Sequence, residues 1–490
     1  MAALSPAGRP AGARRGIVAA LLSGAVLTLA AGCQGSQGSQ PPSPSTGFPA
    51  SGHDPAPCPG RPQLTASPPG PADWPVFDHQ ADRAGVDPST AVATTRATAR
   101  WDDHLDGAMF AQPLQVQGLV IEATEHDSVY ALDAATGCRY WRTSLGTPFD
   151  VTTHHLECNN ITPELGVTAT PAVDPVSGTV YAVPFLDPGR YEMDAIDLAS
   201  GRIRWRHRID LPNSLVVQQL SRPAVALADG HAYASFGGRI GDCANYHGFV
   251  VGIAQDGTGP QLLFQASASR EGAIWAPGGP AVLPGGDLLV STSNTGEQKV
   301  YDGSEAVVRL SADLRRKDFF APANWAQLNA EDLDLGSVSP AILDGGARLF
   351  QVGKEGVGYL LDANHLGGVG GQLFSAPIQG GCLAIGAVAY QAPLLYVPCQ
   401  NGVVALRVSG SRFDFAWRGP GFAAGSPIVA GGLVWSFDYQ GGVVYGLDPA
   451  SGHPTTTIAV GPGEHFASAS ASAGRLVVPA GRDLRSFALS

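Results

Sequence analysis

A phrase that recurs eight times constrains the fold of this chain more than any other feature of its sequence. A small residue is followed by proline or a second small residue, and then by alternating apolar residues. The eight copies are AQPLQV from Ala111, ATPAVD from Ala169, SRPAVA from Ser221, GGPAVL from Gly278, VSPAIL from Val338, GAVAYQ from Gly386, GSPIVA from Gly425 and ASASAG from Ala469. A turn and a second and third strand pattern follow each copy, and a fourth pattern often carries an aromatic residue. Alternation with Gly, Pro and Asp punctuation predicts eight units of four short strands.

Such units predict an all-β, eight-bladed β-propeller of four-stranded antiparallel blades. One unit cannot bury both faces of its sheet, whereas radial stacking covers each sheet with its neighbour. The units fill residues 74–490 at about 52 residues each, close to the length of known propeller blades. The last unit ends at its third strand, which begins at Asp483. We therefore expect residues 97–105 to supply the fourth strand, closing the ring and removing exposed sheet edges.

Composition excludes two other classes of protein. The chain has 63 glycines and 39 prolines, and 15% of its residues are charged, against about 25% in ordinary soluble domains. Long amphipathic helices need charged faces and few glycines or prolines, so a helical bundle is excluded. The formal charge of −12 argues against nucleic-acid binding, which needs a basic surface.

The N-terminus has the pattern of an export signal. Arg9, Arg14 and Arg15 precede an apolar stretch at residues 17–31, which small residues and Cys33 follow. This pattern predicts a lipoprotein signal peptide at residues 1–32 and lipidation of Cys33, so the protein would be extracytoplasmic and anchored to the bacterial cell membrane. A plain secretory peptide with a chance cysteine is the alternative, and the sequence does not separate Sec from twin-arginine export.

Two further segments follow the signal peptide. Residues 33–73 contain the predicted lipidated cysteine and a stretch rich in Gln, Gly, Ser and Pro, which predicts a disordered tether. Residues 74–490 form the predicted propeller. We expect a monomer that meets the membrane only through its anchor.

Six cysteines remain after Cys33, which are Cys58, Cys138, Cys158, Cys243, Cys382 and Cys399. An even number in an exported protein predicts three disulfides. Cys382 and Cys399 lie almost symmetrically about a predicted turn at residues 391–393, so they are expected to pair. Cys138 with Cys158 is a weaker expectation, which would leave Cys58 for Cys243.

The phrase ALDAATG from Ala131, followed by Trp141, resembles the repeat of pyrroloquinoline-quinone-type (PQQ-type) propellers. That superfamily includes quinoprotein alcohol dehydrogenases and the propeller lipoprotein of the outer-membrane β-barrel assembly machinery. The resemblance covers residues 74–490. It implies the fold rather than one activity, because this fold hosts both enzymes and scaffolds.

Candidate site residues follow from where first strands begin and second strands end, since these points meet at one face of a propeller. They are Trp275, Asn294, Asp332, Asp334 and Lys354. The resemblance implies a Trp275 ring stacked on the quinone, Asn294 on Ca²⁺, Asp332 or Asp334 as catalytic base, and Lys354 at the quinone carbonyls. A flat aromatic platform, a cation and oxygen ligands suit a planar anion and a hard metal ion. Alternatively, the two aspartates cap turns, Lys354 is solvated and Trp275 plugs the channel.

Some expected parts of a quinoprotein dehydrogenase are missing from the sequence. The chain has no adjacent cysteine pair, and Thr124 and Glu125 occupy the corresponding strand end. No glutamate stands near residues 185–187, and no C-x-x-C-H haem motif occurs. The predicted function is therefore a lipid-anchored binding or scaffold module at the cell envelope, with a protein, peptide or glycan partner. The alternative is a PQQ- and Ca²⁺-dependent dehydrogenase acting on an alcohol or sugar.

Overall fold

The computed structural model describes residues 53–490 except 91–92, 155, 157, 213–215, 244 and 267–269. In this part of the chain, strands form the eight blades of a β-propeller. The strands of blades 1 to 4 are Leu114–Val116, Leu119–Thr124, Ser128–Asp133 and Arg139–Ser144; Ala172–Asp174, Thr179–Ala182, Arg190–Asp197 and Ile203–Arg208; Ala226–Ala228, His231–Gly238, Phe249–Ala254 and Leu262–Gln265; and Ala281–Val282, Leu288–Ser291, Val307–Leu310 and Arg316–Ala321.

The strands of blades 5 to 8 are Ala341–Leu343, Arg348–Gln351, Val357–Asp362 and Phe374–Pro377; Ala389–Gln391, Leu394–Cys399, Gly402–Ser409 and Arg412–Arg418; Ile428–Ala430, Leu433–Asp438, Val443–Leu447 and Pro454–Ala459; and Ser470–Ser472, Arg475–Ala480, Asp483–Leu489 and Ala97–His104. First strands of neighbouring blades contact one another, so they are the innermost strands.

Short elements extend the blades or connect them. Phe185–Leu186, Gln219–Leu220 and Gly368–Val369 are added to blades 2, 3 and 4, and Phe149–Asp150 pairs with Glu164–Leu165. The α-helices are Val151–His154 and Trp325–Glu331, and the 3₁₀ helices are Val216–Gln218, Leu335–Ser337 and Asp344–Gly346. In the described residues, no helix is long and apolar enough to cross a membrane.

Closure of the ring follows the sequence prediction. The strand Ala97–His104 pairs antiparallel with Asp483–Leu489, which joins an N-terminal segment to the last blade. The His104 imidazole Nδ1 lies 2.7 Å from the Asp483 carboxylate at one end of this pairing. The prediction of a fourth strand at residues 97–105 is therefore confirmed.

Tryptophans on four outer strands join neighbouring blades. Each indole N–H donates to a backbone carbonyl of the next blade, and each ring lies against a glycine of that blade. The contacts are Trp101 to Ala134 and Gly137, Trp141 to Leu198 and Gly201, Trp205 to Gln255 and Gly257, and Trp417 to Pro449 and Gly452. These glycines have φ between 70° and 79°, and a Cβ there would overlap the indole. The repeated ATG and ASG turns therefore serve blade packing.

Replacing Trp141 by phenylalanine is expected to lower the free energy of unfolding by about 1.5 kcal/mol. The change removes the 2.9 Å hydrogen bond to the Leu198 carbonyl and part of the interface between blades 1 and 2. Urea denaturation followed by circular dichroism measures it. Trp325→Phe, in the helix that connects blades 4 and 5, is the control. An equal loss in the two variants would contradict this role for Trp141.

Residues 74–87 cross one mouth of the channel. Their backbone bonds to first strands of five blades through Trp74 with Gln115, Pro75 with Val173, Ala81 with Val282, Ala84 with Tyr390, and Gly85 with Val429. Phe77 packs against Ala224 and Ala387. The buried Arg83 guanidinium donates to the carbonyls of Phe77, Val225 and Pro280. Residues 74–87 therefore cover this mouth, and the first strands begin at the opposite one.

The later part of the predicted tether lies against the propeller. His104 N donates to His53 O at 2.8 Å, Cys58 N donates to Arg139 O at 2.9 Å, and the Thr65 amide donates to the Gln117 side chain at 2.7 Å. The outer strands of blades 8 and 1 have free edges, and this segment satisfies their backbone groups. The predicted signal peptide, Cys33 and the tether up to residue 52 lie outside the described residues.

The disulfide prediction is confirmed for one pair and wrong for the other two. Cys382 pairs with Cys399 as predicted. The structure pairs Cys58 with Cys138 and Cys158 with Cys243, instead of Cys138 with Cys158 and Cys58 with Cys243. The N-terminal segment places Cys58 beside the turn before the outer strand of blade 1, where its Cα lies 5.0 Å from that of Cys138. The sequence alone does not show this docking.

Candidate functional site

A cavity of about 250 Å³ lies at the open channel mouth, between blades 3, 4 and 5 and the loop before blade 8. All five predicted site residues line it, namely Trp275, Asn294, Asp332, Asp334 and Lys354. Grooves of about 590 and 660 Å³ flank residues 74–87 at the other mouth. Arg83 lines one of them, but its buried guanidinium already donates to three backbone carbonyls. The smaller cavity therefore holds the more reactive set of side chains.

Chain geometry explains how these side chains meet. Trp275 precedes the first strand of blade 4, and Asn294 follows the second strand of that blade. The helix Trp325–Glu331 ends at Asp332, whose φ of 55° turns the chain toward Asp334. Gly353 lets the turn before Lys354 approach the backbone of Asp334 closely. A Cβ at this position would lie 2.3 Å from the Asp334 carbonyl oxygen.

Asp334 and Lys354 form the centre of the cluster. Lys354 Nζ lies 2.6 Å from Asp334 Oδ2 and 3.0 Å from Asp332 Oδ1. The Asn294 backbone N–H donates to Asp334 Oδ1 at 3.1 Å, and the Asn294 side chain donates to Asp332 at 3.5 Å. Lys354 Nζ also lies 5.7 Å from the centre of the Trp275 ring, within cation–π range.

Burial and charge set the protonation of this cluster. Burial raises the pKa of Asp334, while Lys354 and the Asn294 N–H oppose that rise. Burial tends to lower the pKa of Lys354, but Asp334 and Asp332 outweigh it and raise the pKa above its ordinary value. Behind them, burial and then Asp334 raise the pKa of Glu305 well above its ordinary value. The cluster is therefore the Lys354–Asp334 ion pair, with the buried Glu305 carboxyl group, whose pKa is also raised, behind it.

The opposite wall carries two arginines that the sequence analysis did not select. Arg222 and Arg239 line the cavity, together with His465 and Phe466. Arg222 Nη1 lies 3.0 Å from His465 Nε2, and the guanidinium lies 5.4 Å from the centre of the Phe466 ring. Burial lowers the pKa of Arg222 to about 10 and, with Arg222 beside it, that of His465 to about 3. The sequence does distinguish Arg222, because it is the one charged residue at the second position of the eight repeated phrases.

The donor set does not fit a calcium ion. Lys354 Nζ lies between the Asp332 and Asp334 carboxylates, where a bound cation would sit, and Asn294 faces Asp332 with its Nδ2 donor rather than with its amide oxygen. The described residues contain no group of three His, Cys, Asp or Glu side chains that could hold a metal. Glu125, at the strand end discussed above, is buried and accepts a hydrogen bond from Gly166 N at 2.6 Å. Calcium ligation by Asn294, implied by the resemblance, therefore lacks the oxygen ligands it needs.

A planar quinone fits better than the metal. The Trp275 ring offers a flat face, Arg222 and Arg239 place positive charge on one side of the cavity, and Lys354, paired with two carboxylates, supplies a hydrogen-bond donor on the other. Such a set suits an aromatic ligand that carries carbonyl or carboxylate groups. Trp275 and Lys354 are the residues that would contact its ring and its carbonyl edge.

Comparison with known proteins finds one matching family and one similar dehydrogenase. The family described as outer membrane protein assembly factor BamB matches residues 83–296. A polyvinylalcohol dehydrogenase from Pseudomonas sp is 24% identical over 321 residues, which are 57% of this chain and 47% of that protein. The chain thus spans about half the length of this curated relative.

Solved structures show the same fold at low identity. A quinohemoprotein alcohol dehydrogenase from Pseudomonas putida HK5 aligns with a TM-score of 0.65 and 14% identity, over 86% of this chain and 80% of its own. The corresponding enzyme from Comamonas testosteroni gives 0.65 and 15%, over 85% and 80%. BamB from Moraxella catarrhalis gives 0.52 and 14%, over 80% and 100%. Together with the repeats, the family match over residues 83–296 and these likenesses support a β-propeller of the pyrroloquinoline-quinone type.

Proposed function

We propose that this protein is an extracytoplasmic binding module, anchored to the cell membrane through Cys33, whose channel mouth takes a small planar ligand. The observation that carries the proposal is the Lys354 ammonium 5.7 Å from the Trp275 ring centre, held there by Asp332 and Asp334. The Trp275 ring can stack against a planar group, and the neighbouring Lys354 ammonium can donate to an electron-rich edge of that group. Three disulfides suit an oxidising compartment.

The size of the cavity limits what enters it. A volume of about 250 Å³ admits one small ring system, or one ring-bearing residue of a peptide or glycan partner, but not a folded domain. A partner at the cell envelope would therefore present a single group to the channel mouth. The rest of the interface would lie on the surrounding loops.

Purified full chain is expected to bind PQQ, used as a planar anionic probe, with saturable quenching of tryptophan fluorescence. Trp275→Ala should weaken binding at least tenfold, because the ring platform is lost. Isothermal titration calorimetry gives the affinity independently. Trp325→Ala, outside the cavity, is the matched control. Absence of saturable binding of PQQ and of neutral planar probes at millimolar concentration would refute a planar-ligand site.

A second candidate is a PQQ-dependent dehydrogenase acting on an alcohol or sugar. The Asp334–Lys354 pair beside Trp275 supports it, because the resemblance implies a base and a cation at these positions. When bound, PQQ would supply the oxidant, taking two electrons and the carbon-bound hydrogen of the alcohol as a hydride equivalent. In this chain Asp334 would accept the alcohol proton, and Lys354 would face the carbonyl edge of the ring. Dye reduction across alcohols, with and without Ca²⁺, separates the two candidate functions. Binding of PQQ without turnover would support the binding module and contradict the dehydrogenase.

A further inference from the structure

At the mouth that residues 74–87 cover, the inner edges of two blades are left open. Each first strand is the innermost strand of its blade, so one of its edges faces the channel. The backbone of residues 74–87 bonds to this edge in blades 1, 2, 4, 6 and 7. In blade 8 the Ser472 hydroxyl donates to the Ala72 carbonyl. The segment passes over blades 3 and 5 without a backbone hydrogen bond to their first strands among the described residues.

Strand register identifies the open backbone groups. The Val173 N–H, in the middle of the first strand of blade 2, donates to the Pro75 carbonyl at 2.8 Å. Leu227 and Ile342 hold the same middle position in the first strands of blades 3 and 5. Successive residues of an antiparallel strand point their N–H and C=O groups to opposite edges, so those of Leu227 and Ile342 point to the channel. No partner within the described part of the chain meets them.

A groove runs past each of these open edges. Leu227 lines the groove of about 590 Å³, and Ile342 lines the groove of about 660 Å³. The two grooves adjoin, because Ala81, Asp229 and Val282 line both of them. One extended chain can therefore reach both edges. Main-chain hydrogen bonding to an exposed strand edge is a recurrent mode of peptide recognition.

The lining of the two grooves selects the chemistry of such a chain. Most of the lining is apolar, and its carboxylates are Asp73, Asp82, Asp174, Asp229 and Asp344. Among the described residues, a salt bridge holds only Asp344 of these five, with Arg348. Arg83 is the one arginine or lysine in the lining, and backbone carbonyls already accept its donors. The grooves therefore favour a chain with basic and apolar side chains.

We propose that the two grooves form a docking site for an extended segment of a partner protein in which basic and apolar residues alternate. The segment pairs with the backbone of Leu227 and Ile342 and places its cationic side chains beside Asp82 and Asp229. Alternation suits a strand, because successive side chains point to opposite faces and only one face meets the carboxylates. This site lies at the opposite end of the channel from the cavity that Trp275 lines, and it does not depend on the planar ligand.

The probe is an acetylated and amidated octapeptide of alternating lysine and valine. In residues 74–87 the step from Ala81 to Ala84 reaches from blade 4 to blade 6, so about eight extended residues pass both grooves. Calorimetry on purified full chain should show at least tenfold tighter binding of this peptide than of one with glutamate in place of lysine. N-methylation of every lysine, or of every valine, removes the donors of one edge. At least one of these two modified peptides should bind at least tenfold more weakly.

Variants of the chain test the location of the site. Ala81→Trp fills the shared part of the grooves and should weaken binding of the lysine peptide at least tenfold, whereas Ala199→Trp, on an exposed turn of blade 2, should not. The double change Asp82→Asn, Asp229→Asn should weaken binding about tenfold, against less than twofold for the exposed control Asp414→Asn. Circular dichroism establishes that each variant folds.

Four results would each overturn the docking site. They are absence of saturable binding at millimolar concentration, equal affinity for the lysine and glutamate peptides, full affinity of both N-methylated peptides, and full affinity in Ala81→Trp. Full affinity of both N-methylated peptides would mean that charge alone holds the lysine peptide, without pairing to a strand edge.

Discussion

Removing the Cys58–Cys138 disulfide by the double change Cys58→Ser, Cys138→Ser is expected to lower the free energy of unfolding by about 4 kcal/mol. The bond spans 80 residues of sequence, so it restricts a large loop of the unfolded chain. That loop contains the strand Ala97–His104, which closes the ring. Differential scanning calorimetry on the oxidised and variant proteins measures the change.

The same bond should control where the ring opens first. Residues 53–58 bond to His104 in blade 8 and to Arg139 in blade 1, so they join the two blades that meet at the closure. Hydrogen exchange in the variant should therefore accelerate in Ala97–His104 before the other blades. The Cys382→Ser, Cys399→Ser double variant is the control, because its 17-residue separation predicts a smaller loss of about 3 kcal/mol and no selective effect on the closing strand. The opposite ranking would contradict the closure argument.

The blades could be predicted because each depends on local sequence. Alternation, turn residues and the repeated phrase lie within one unit, and a missing fourth strand in the last unit leaves residues 97–104 as its natural source. The role of residues 74–87 could not be predicted this way. Their backbone bonds reach five blades that are distant in sequence, and only the closed ring brings those partners together.

The candidate site also combines residues that local sequence predicts with residues that it does not. Trp275, Asn294, Asp332, Asp334 and Lys354 sit at strand ends, so the repeat itself placed them at one mouth. The sequence could not show which of the two aspartates is the better candidate for a catalytic base, because they differ in burial. The Asp332 side chain is 64% exposed, whereas that of Asp334 is 6% exposed. The departure from the repeat at Arg222 was visible in the sequence, but its meaning depends on Arg239, after the second strand of the same blade, and on His465, which lies in another unit.

Stability is expected to fall as the pH rises from 6.5 to 8.5, by roughly 3 kcal/mol. Burial raises the pKa of Asp78, Glu125 and Asp194 to about 7. In the folded state these groups keep their protons up to that pH, whereas in the unfolded chain they lose them near pH 4. Their contribution is therefore complete below the unfolded pKa and disappears as the pH passes the folded pKa. Burial also raises the pKa of Asp127 well above its ordinary value.

The pH window isolates these buried carboxyl groups from groups that act in the opposite direction. Burial lowers the pKa of His465 to about 3, and this group costs stability only as the pH falls below about 6.5. Urea midpoints at several pH values, compared between Asp78→Asn and the exposed control Asp414→Asn, test the argument. Asp78→Asn should flatten the pH dependence by nearly 1 kcal/mol, because a neutral amide cannot lose a proton. Equal slopes in the two variants would mean that Asp78 is already ionised at pH 6.5, balanced by Arg83.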